Sequence, residues 1–364
     1  MRRRVAIVGA GMAGASLAAS IASGDSVVLL EAESHPGFHA TGRSAAFWSE
    51  TYGGPGVQPL TSASGPFLHQ PPPEFGSEPF LAPRGELMIA PAGDTAALDA
   101  FETRFAGSGI AMVREDAAVR VPGLKGAWQG LWMPSCADID VARLHGAYLA
   151  QARRLGATLR CDSAVVAARR SGGAWQLRLA DGTTFVADVL VNAAGAWADR
   201  IAEIAGAAPV GIQAYRRTMV QLRVDPPAPA SLPVVMDAAA GFYFKPEPGG
   251  RVWLTPHDET AVEPGDVAAE EIDVAVAIDR MQRVVDWRIE AVERRWAGLR
   301  SFAPDRLPVY GWDPRVDGLF WCAGQGGFGI QTAPAGAALC AALLGRGAIP
   351  AGVDAALYRP NRFG

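Results

Sequence analysis

Short runs of uninterrupted apolar residues alternate with glycine-rich breaks along this chain. Val5-Ala6-Ile7-Val8 is continuous and rich in β-branched residues, which predicts a strand covered on both faces. The Ala- and Leu-rich stretch that ends at Ser23 predicts a helix, and Ser26–Leu30 (SVVLL) a second buried strand with Glu31 at its end. The pattern returns at Val189–Val191, which runs into small residues, and at Leu319–Ala323, which leads through Gly324–Ile330 into a helix over Thr332–Leu344. Between these lie strand-like runs at Gly85–Ala90, Arg217–Val224 and Gly241–Pro246. Residues 267–295 read as a helix with Ile272, Val276, Ile278, Val284 and Val285 among its apolar positions, and Asp225–Pro233 as a surface turn.

The breaks carry the first chemistry. Gly9-Ala10-Gly11-Met12-Ala13-Gly14 stands between strand and helix as GxGxxG. In such a turn Gly9 permits the tight reversal, Gly11 lets the backbone approach a pyrophosphate, and Gly14 lets the helix pack closely on the strand. The helix start offers unpaired N–H groups and a positive dipole end to phosphates. Glu31 is placed to accept hydrogen bonds from ribose hydroxyls and to repel a 2′-phosphate. The motif alone is common; strand, turn, helix, strand and terminal acid in order point to a dinucleotide. The basic start before Val5 imitates a secretory signal, but cleavage would destroy this turn.

Composition narrows the class. At 364 residues the chain exceeds the size at which one core stops growing, so two domains are expected. Hydrophobic residues at 49% and charged residues at 19% indicate a compact chain, and a net charge of −4 argues against nucleic acid as a partner. With only Lys125 and Lys245 as lysines, a fixed cation in a site is expected to be arginine. Cys136, Cys161, Cys322 and Cys340 form no CxxC and the five histidines no HxH or HxxxH, so a reduced, cytoplasmic setting without a metal is expected. No apolar run reaches the roughly 18 residues of a membrane span.

His39-Ala40-Thr41-Gly42-Arg43-Ser44-Ala45-Ala46 follows the second strand where a nicotinamide enzyme would continue into its next helix, which favours FAD laid along the protein. Gly324-Gln325-Gly326-Gly327-Phe328-Gly329-Ile330 opens a helix and suits the flavin edge that becomes negative on reduction. With HATGRSAA, Tyr52-Gly53, Pro83-Arg84-Gly85-Glu86, VLVNAAGAW (189–197), Arg216-Arg217, Gly241–Pro246, WAGLRSF (296–302) and GQGGFGIQT (324–332) in order, the chain resembles the D-amino-acid oxidase superfamily of FAD-dependent oxidoreductases, most of all its bacterial D-arginine dehydrogenase type. The resemblance covers almost the whole length.

It implies an α/β fold: a Rossmann-type FAD-binding domain from residues 1–75, 141–209 and 296–364, and an α+β substrate domain on a mixed sheet from 76–140 and 210–295. It implies non-covalent FAD held by Gly9, Gly11, Met12, Ala13, Gly14, Glu31, Ala32, His39, Thr41, Gly42, Arg43, Ser44, Ala45, Ala46, Val165, Ala194, Gly195, Trp197, Arg300, Gly326, Gly327, Phe328, Gly329, Ile330 and Gln331. It also implies that Arg217 and Arg300 clamp the substrate carboxylate beside Tyr52 and Tyr243, with Glu86 toward the far end of a cationic side chain. A planar guanidinium fork matches two carboxylate oxygens. Phe47 and Trp48 stand where the resembling enzymes carry a His-Tyr pair, and Ser49 replaces a threonine, so bulky hydrophobic D-amino acids stand beside D-Arg or D-Lys as substrates.

The expected reaction is hydride transfer from Cα to flavin N5, then hydrolysis of the imino acid to a 2-keto acid and ammonia. The rival readings are a glycine, sarcosine or 2-hydroxy-acid oxidising enzyme of the same fold, and a non-catalytic flavin-binding subunit. Oxygen, a quinone and a carrier protein all remain open as electron acceptor.

Overall fold

A computed structural model of the chain describes residues 2–364; Met1, the first residue of the basic start, lies outside them. A six-stranded sheet orders its strands Val309–Trp312, Leu319–Ala323, Val189–Asn192, Arg3–Val8, Asp25–Leu30 and Thr158–Arg160. All its pairs are parallel except the antiparallel edge made by Val309–Trp312. Its strands are apolar without alternation because both faces are covered. The helices Met12–Ile21, Val141–Arg154 and Ala333–Leu343 pack their Leu17, Leu144 and Leu339 on one face. The three-stranded antiparallel sheet Val165–Ser171, Ala174–Leu179 and Thr184–Ala187 and the helix Ala198–Ile204 cover the other, with Trp175, Leu177 and Ile201 against Leu190 and Trp321. The carboxyl ends of four strands release the loops that begin at Gly9, Glu31, Ala193 and Gly324, so these loops converge on one crevice.

A ten-stranded mixed sheet carries the second half of the site. Its longest strands, Gln213–Asp225 and Arg288–Phe302, pair antiparallel along their whole length. The helix Glu271–Val284 seals one face of this sheet, burying Val274, Ala277 and Met281 against Val220, Leu254 and Phe244. The opposite face looks toward the crevice. Phe242 and Phe244 lie in the sealed core whereas Tyr243 packs with Phe47 and Met219 on the other side, as strand alternation requires.

The helix expected over 267–295 is shorter. It spans Glu271–Val284, Val285 turns extended, and residues from Arg288 onward form a strand. The charges of that segment, which suit an exposed helix, are used across strands instead: Arg288 pairs with Asp225, and Glu293 with Arg251 and Arg223. The strand runs unbroken through residue 296, where the sequence reading places a segment boundary. Asp225–Pro233 is a connection between strands, although it buries Ala228 and Leu232. No helix of the described residues is long and apolar enough to cross a membrane, and no group of three or more His, Cys, Asp or Glu among them could hold a metal ion.

Candidate active site

Glycine-rich loops from the six-stranded sheet and the open face of the ten-stranded sheet enclose one cavity of about 690 Å³. Of the residues that the resemblance assigns to cofactor or substrate, all but Gly14, Gly42 and Glu86 line it. At the dinucleotide end, a Cβ on Gly9 would lie 2.5 Å from Ala193 O, and φ is +98° there. A Cβ on Gly14 would collide with Gly9 O, so this residue shapes the turn without touching the cavity. Gly42 acts in the same indirect way: its N–H donates to Gly37 O at 2.8 Å and a Cβ would lie 2.6 Å from that oxygen.

Glu31 sits at the end of its strand and is only 9% exposed. It accepts from Ala10 N at 2.8 Å and Glu33 N at 3.1 Å, which fixes the carboxylate at the cavity edge. Thr41 Oγ1 accepts from Met12 N at 3.0 Å and ties the small-residue loop to the helix start. Arg43 donates to Phe38 O, Val267 O and Ala297 O and pairs with Asp266, so it clips this loop to the second sheet. His39 Nε2 lies 2.8 Å from Glu33 and its ring leans on Trp197, centroids 4.5 Å apart. A turn with no room for a Cβ at Gly9 or Gly14, a helix start and a buried acid together match the shape and donor set that FAD requires.

The other end holds the cations. Arg216 and Arg217 are adjacent on one strand and therefore face opposite sides of the sheet. Arg216 binds Asp273 at 2.9 Å, and Glu270, fastening the helix on the sealed face. Arg217 faces the cavity with 6% exposure. It sits opposite Gly298, and Arg300 two residues on is opposite Tyr215, so the two arginines are diagonal neighbours on one face. A Cβ on Gly298 would lie 3.3 Å from Arg43 Cβ, so this glycine makes room for the loop that Arg43 clips down. Arg217 Nε donates to Asp258 O at 2.8 Å. Burial, then the adjacent Arg300, pulls its pKa down to about 10, so it stays charged at neutral pH.

Arg300 donates to Tyr52 Oη and lies against Gly327, where a Cβ would collide with its guanidinium. Tyr243, whose phenol burial pushes well above its usual range, reaches Met219 Sδ at 3.8 Å. Phe47 packs on both tyrosines, with ring centroids 5.2 Å from Tyr52 and 5.6 Å from Tyr243. Arg217, Arg300, Tyr52 and Tyr243 are therefore brought together as the sequence reading expects. Gln331 takes a structural part at the cavity wall: its Oε1 accepts from Ser49 N, and its Nε2 donates to Tyr52 O and Thr61 Oγ1, each at 3.0 Å, pinning the Tyr52 loop. Sequence reasoning missed Met219 and the Asp258-Glu259 pair, because only the folded strands bring them to the arginines.

Glu86 departs most from its expected place. It is 1% exposed, outside the cavity lining, and one of its oxygens has no hydrogen-bond partner among the described residues. Burial raises its pKa from the usual 4.5 to about 7. Between those values the folded chain holds a proton that the unfolded chain has released, so stability falls as pH rises through this window. Glu86→Gln should therefore flatten the pH dependence of denaturant unfolding from pH 5 to 8 and add up to about 3 kcal/mol at pH 8. An unchanged pH profile in the variant would contradict this.

The family model described as FAD dependent oxidoreductase matches residues 4–343. A solved structure of glycine oxidase from Geobacillus kaustophilus is similar over 99% of both chains, with a TM-score of 0.84 and 24% identity. One of L-proline dehydrogenase from P. horikoshii covers 100% of this chain and 98% of its own, with a TM-score of 0.85 and 20% identity. At these identities the likeness establishes the fold. FAD-dependent oxidoreductase domain-containing protein 1 of Bos taurus is 31% identical over 166 residues, 40% of this chain and 33% of its own length, so the chain spans about a third of that curated relative. The family match runs through the glycine turn, both arginines and the second glycine-rich loop, and the chain belongs to the DAO family of FAD-dependent oxidoreductases.

Proposed function

We propose that this enzyme oxidises the amine-bearing carbon of a D-amino acid with a bulky apolar side chain. The observation that carries the reading is the pair of diagonal arginines, Arg217 and Arg300, turned into the cavity beside two tyrosines. Two fixed cations on one face suit a carboxylate, and guanidinium offers it a planar fork. Tyr52 Oη, already held by Arg300, and Tyr243 Oη supply polar contacts beside that grip. Phe47 and Met219 make the adjoining wall apolar. An apolar side chain fits this wall better than a cationic one, because Glu86 lies outside the lining.

Bound FAD would supply the acceptor for a hydride from the substrate α-carbon, and water would convert the resulting imino acid to a 2-keto acid and ammonia. The protein's part is orientation: a carboxylate fixed at two points holds one C–H bond in a set direction within the cavity. The glycine turn, Glu31, Ala32, Val165, Ala194 and the loop Gly326–Ile330 would hold the cofactor without a covalent bond. His39 is engaged with Glu33, and Cys322 is buried at a strand end.

Two of the similar structures, a glycine oxidase and an L-proline dehydrogenase, support the amine side of this reading. The test is anaerobic reduction of the bound flavin by paired D- and L-amino acids, glycine, sarcosine and 2-hydroxy acids. Bleaching is expected with D-amino acids bearing large apolar side chains. Reduction by L-enantiomers or by 2-hydroxy acids alone would overturn the assignment.

A further inference from the structure

Two like charges placed side by side repel, and a third group here answers both. Glu259 Oε1 lies 3.4 Å from Arg217 Nη2, 3.5 Å from Arg300 Nη1 and 2.8 Å from Arg306 Nη2. Its side chain is 33% exposed and is not among those lining the cavity. The loop that carries it, between the strands Arg251–Thr255 and Thr260–Val262, is fixed at several points. His257 holds a left-handed φ of +59°, its N donates to Thr255 Oγ1 at 3.1 Å, and its Nδ1 lies 2.9 Å from Ala240 O. Asp258 accepts from Thr218 N at 2.8 Å and Thr218 Oγ1 at 3.0 Å.

The loop thereby uses one edge of Arg217: Nε is taken by Asp258 O and Nη2 by Glu259. Arg217 Nη1 is buried and has no hydrogen-bond partner among the described residues. A buried donor left unmade is unfavourable unless an acceptor arrives. Arg300 is shared in the same way, with Nη1 toward Glu259 and Nη2 toward Tyr52.

We infer that Glu259 is a positioning residue for the substrate carboxylate: it bridges Arg217 and Arg300 without entering the cavity lining, offsets their repulsion and leaves their remaining donors free for one acid in the cavity. This rests on the amino-acid reading above. Glu259 does not touch the substrate, so its loss should weaken the grip on a carboxylate and leave the chemical step alone.

The FAD-loaded Glu259→Gln enzyme, checked for wild-type flavin content and Tm, is titrated with benzoate, an unreactive carboxylate read through the flavin absorbance. It is then assayed with the best amino acid and with the amine that lacks its carboxylate. The benzoate Kd and amino-acid KM should rise about tenfold, with kcat within about threefold of wild type, as for a lost charge contact at a site rim. The KM of the amine should not move, and Glu259→Asp, which keeps the charge on a shorter stem, should recover part of the loss even if Glu259→Gln folds poorly. An unchanged or tighter benzoate Kd, or an equal rise in KM for the amine, overturns the inference. Should no amino acid reduce the wild-type flavin, the functional reading fails by itself, and the benzoate titration still decides the role of Glu259.

Discussion

Arg300→Ala should lower kcat/KM for the best amino acid by about 10²- to 10³-fold, mostly through KM, while the purified protein stays yellow. Removing one partner of a buried, hydrogen-bonded charge pair costs about 2–5 kcal/mol, and each 1.4 kcal/mol is tenfold. Arg300 meets these conditions: its side chain is 13% exposed, it donates to Tyr52 and it rests on Gly327. Lysine would not replace it, because a single ammonium cannot reproduce the planar fork or lie flat on that glycine. Steady-state kinetics with flavin content measured in parallel check this, and normal turnover in the alanine variant would remove Arg300 from the site.

Gly14→Ala should yield a protein that is purified largely colourless and takes up FAD only at high added concentration. The new methyl would meet Gly9 O, a backbone atom that cannot swing aside as a side chain can. Relief requires the helix Met12–Ile21 to move off the strand Arg3–Val8, at about 1–3 kcal/mol of overpacking. The same shift displaces the N–H groups at the helix start from the place a pyrophosphate would occupy. Equilibrium titration with FAD, followed by flavin fluorescence, measures the loss. Wild-type affinity in the variant would show that the close approach of Gly14 and Gly9 is not needed.

What could be read from the sequence follows from how local each determinant is. The glycine turn, its flanking strands and Glu31 were legible because backbone sterics fix them within about thirty consecutive residues. Gly14 and Gly42 belong to that legible set, yet they act one layer behind the cavity, holding Gly9 and Gly37 in place. Arg217 was named only through the resemblance: strand alternation parts it from Arg216, but only the folded sheet shows Arg216 on the helix face and Arg217 at the cavity. Glu259 was not legible. It belongs to a short loop, and its partners at 217, 300 and 306 meet only when antiparallel strands align. Arg288–Arg295 read as helix because Glu and Arg favour helices when isolated. Backbone pairing of this segment along Gln213–Asp225 overrides that preference, and its charges meet Asp225, Arg223 and Arg251 across the sheet.

Charge placement at the second sheet is the foundation of the functional account, and one comparison probes it without any mutation. The FAD-loaded protein is mixed, in the absence of oxygen, with a D-amino acid that reduces it and with the corresponding amine lacking the carboxyl group. Bleaching about a hundredfold faster by the first than by the second, at equal concentration, is the predicted result. Equal rates of bleaching by both would contradict it, because the two guanidinium groups would then contribute nothing to presenting the C–H bond.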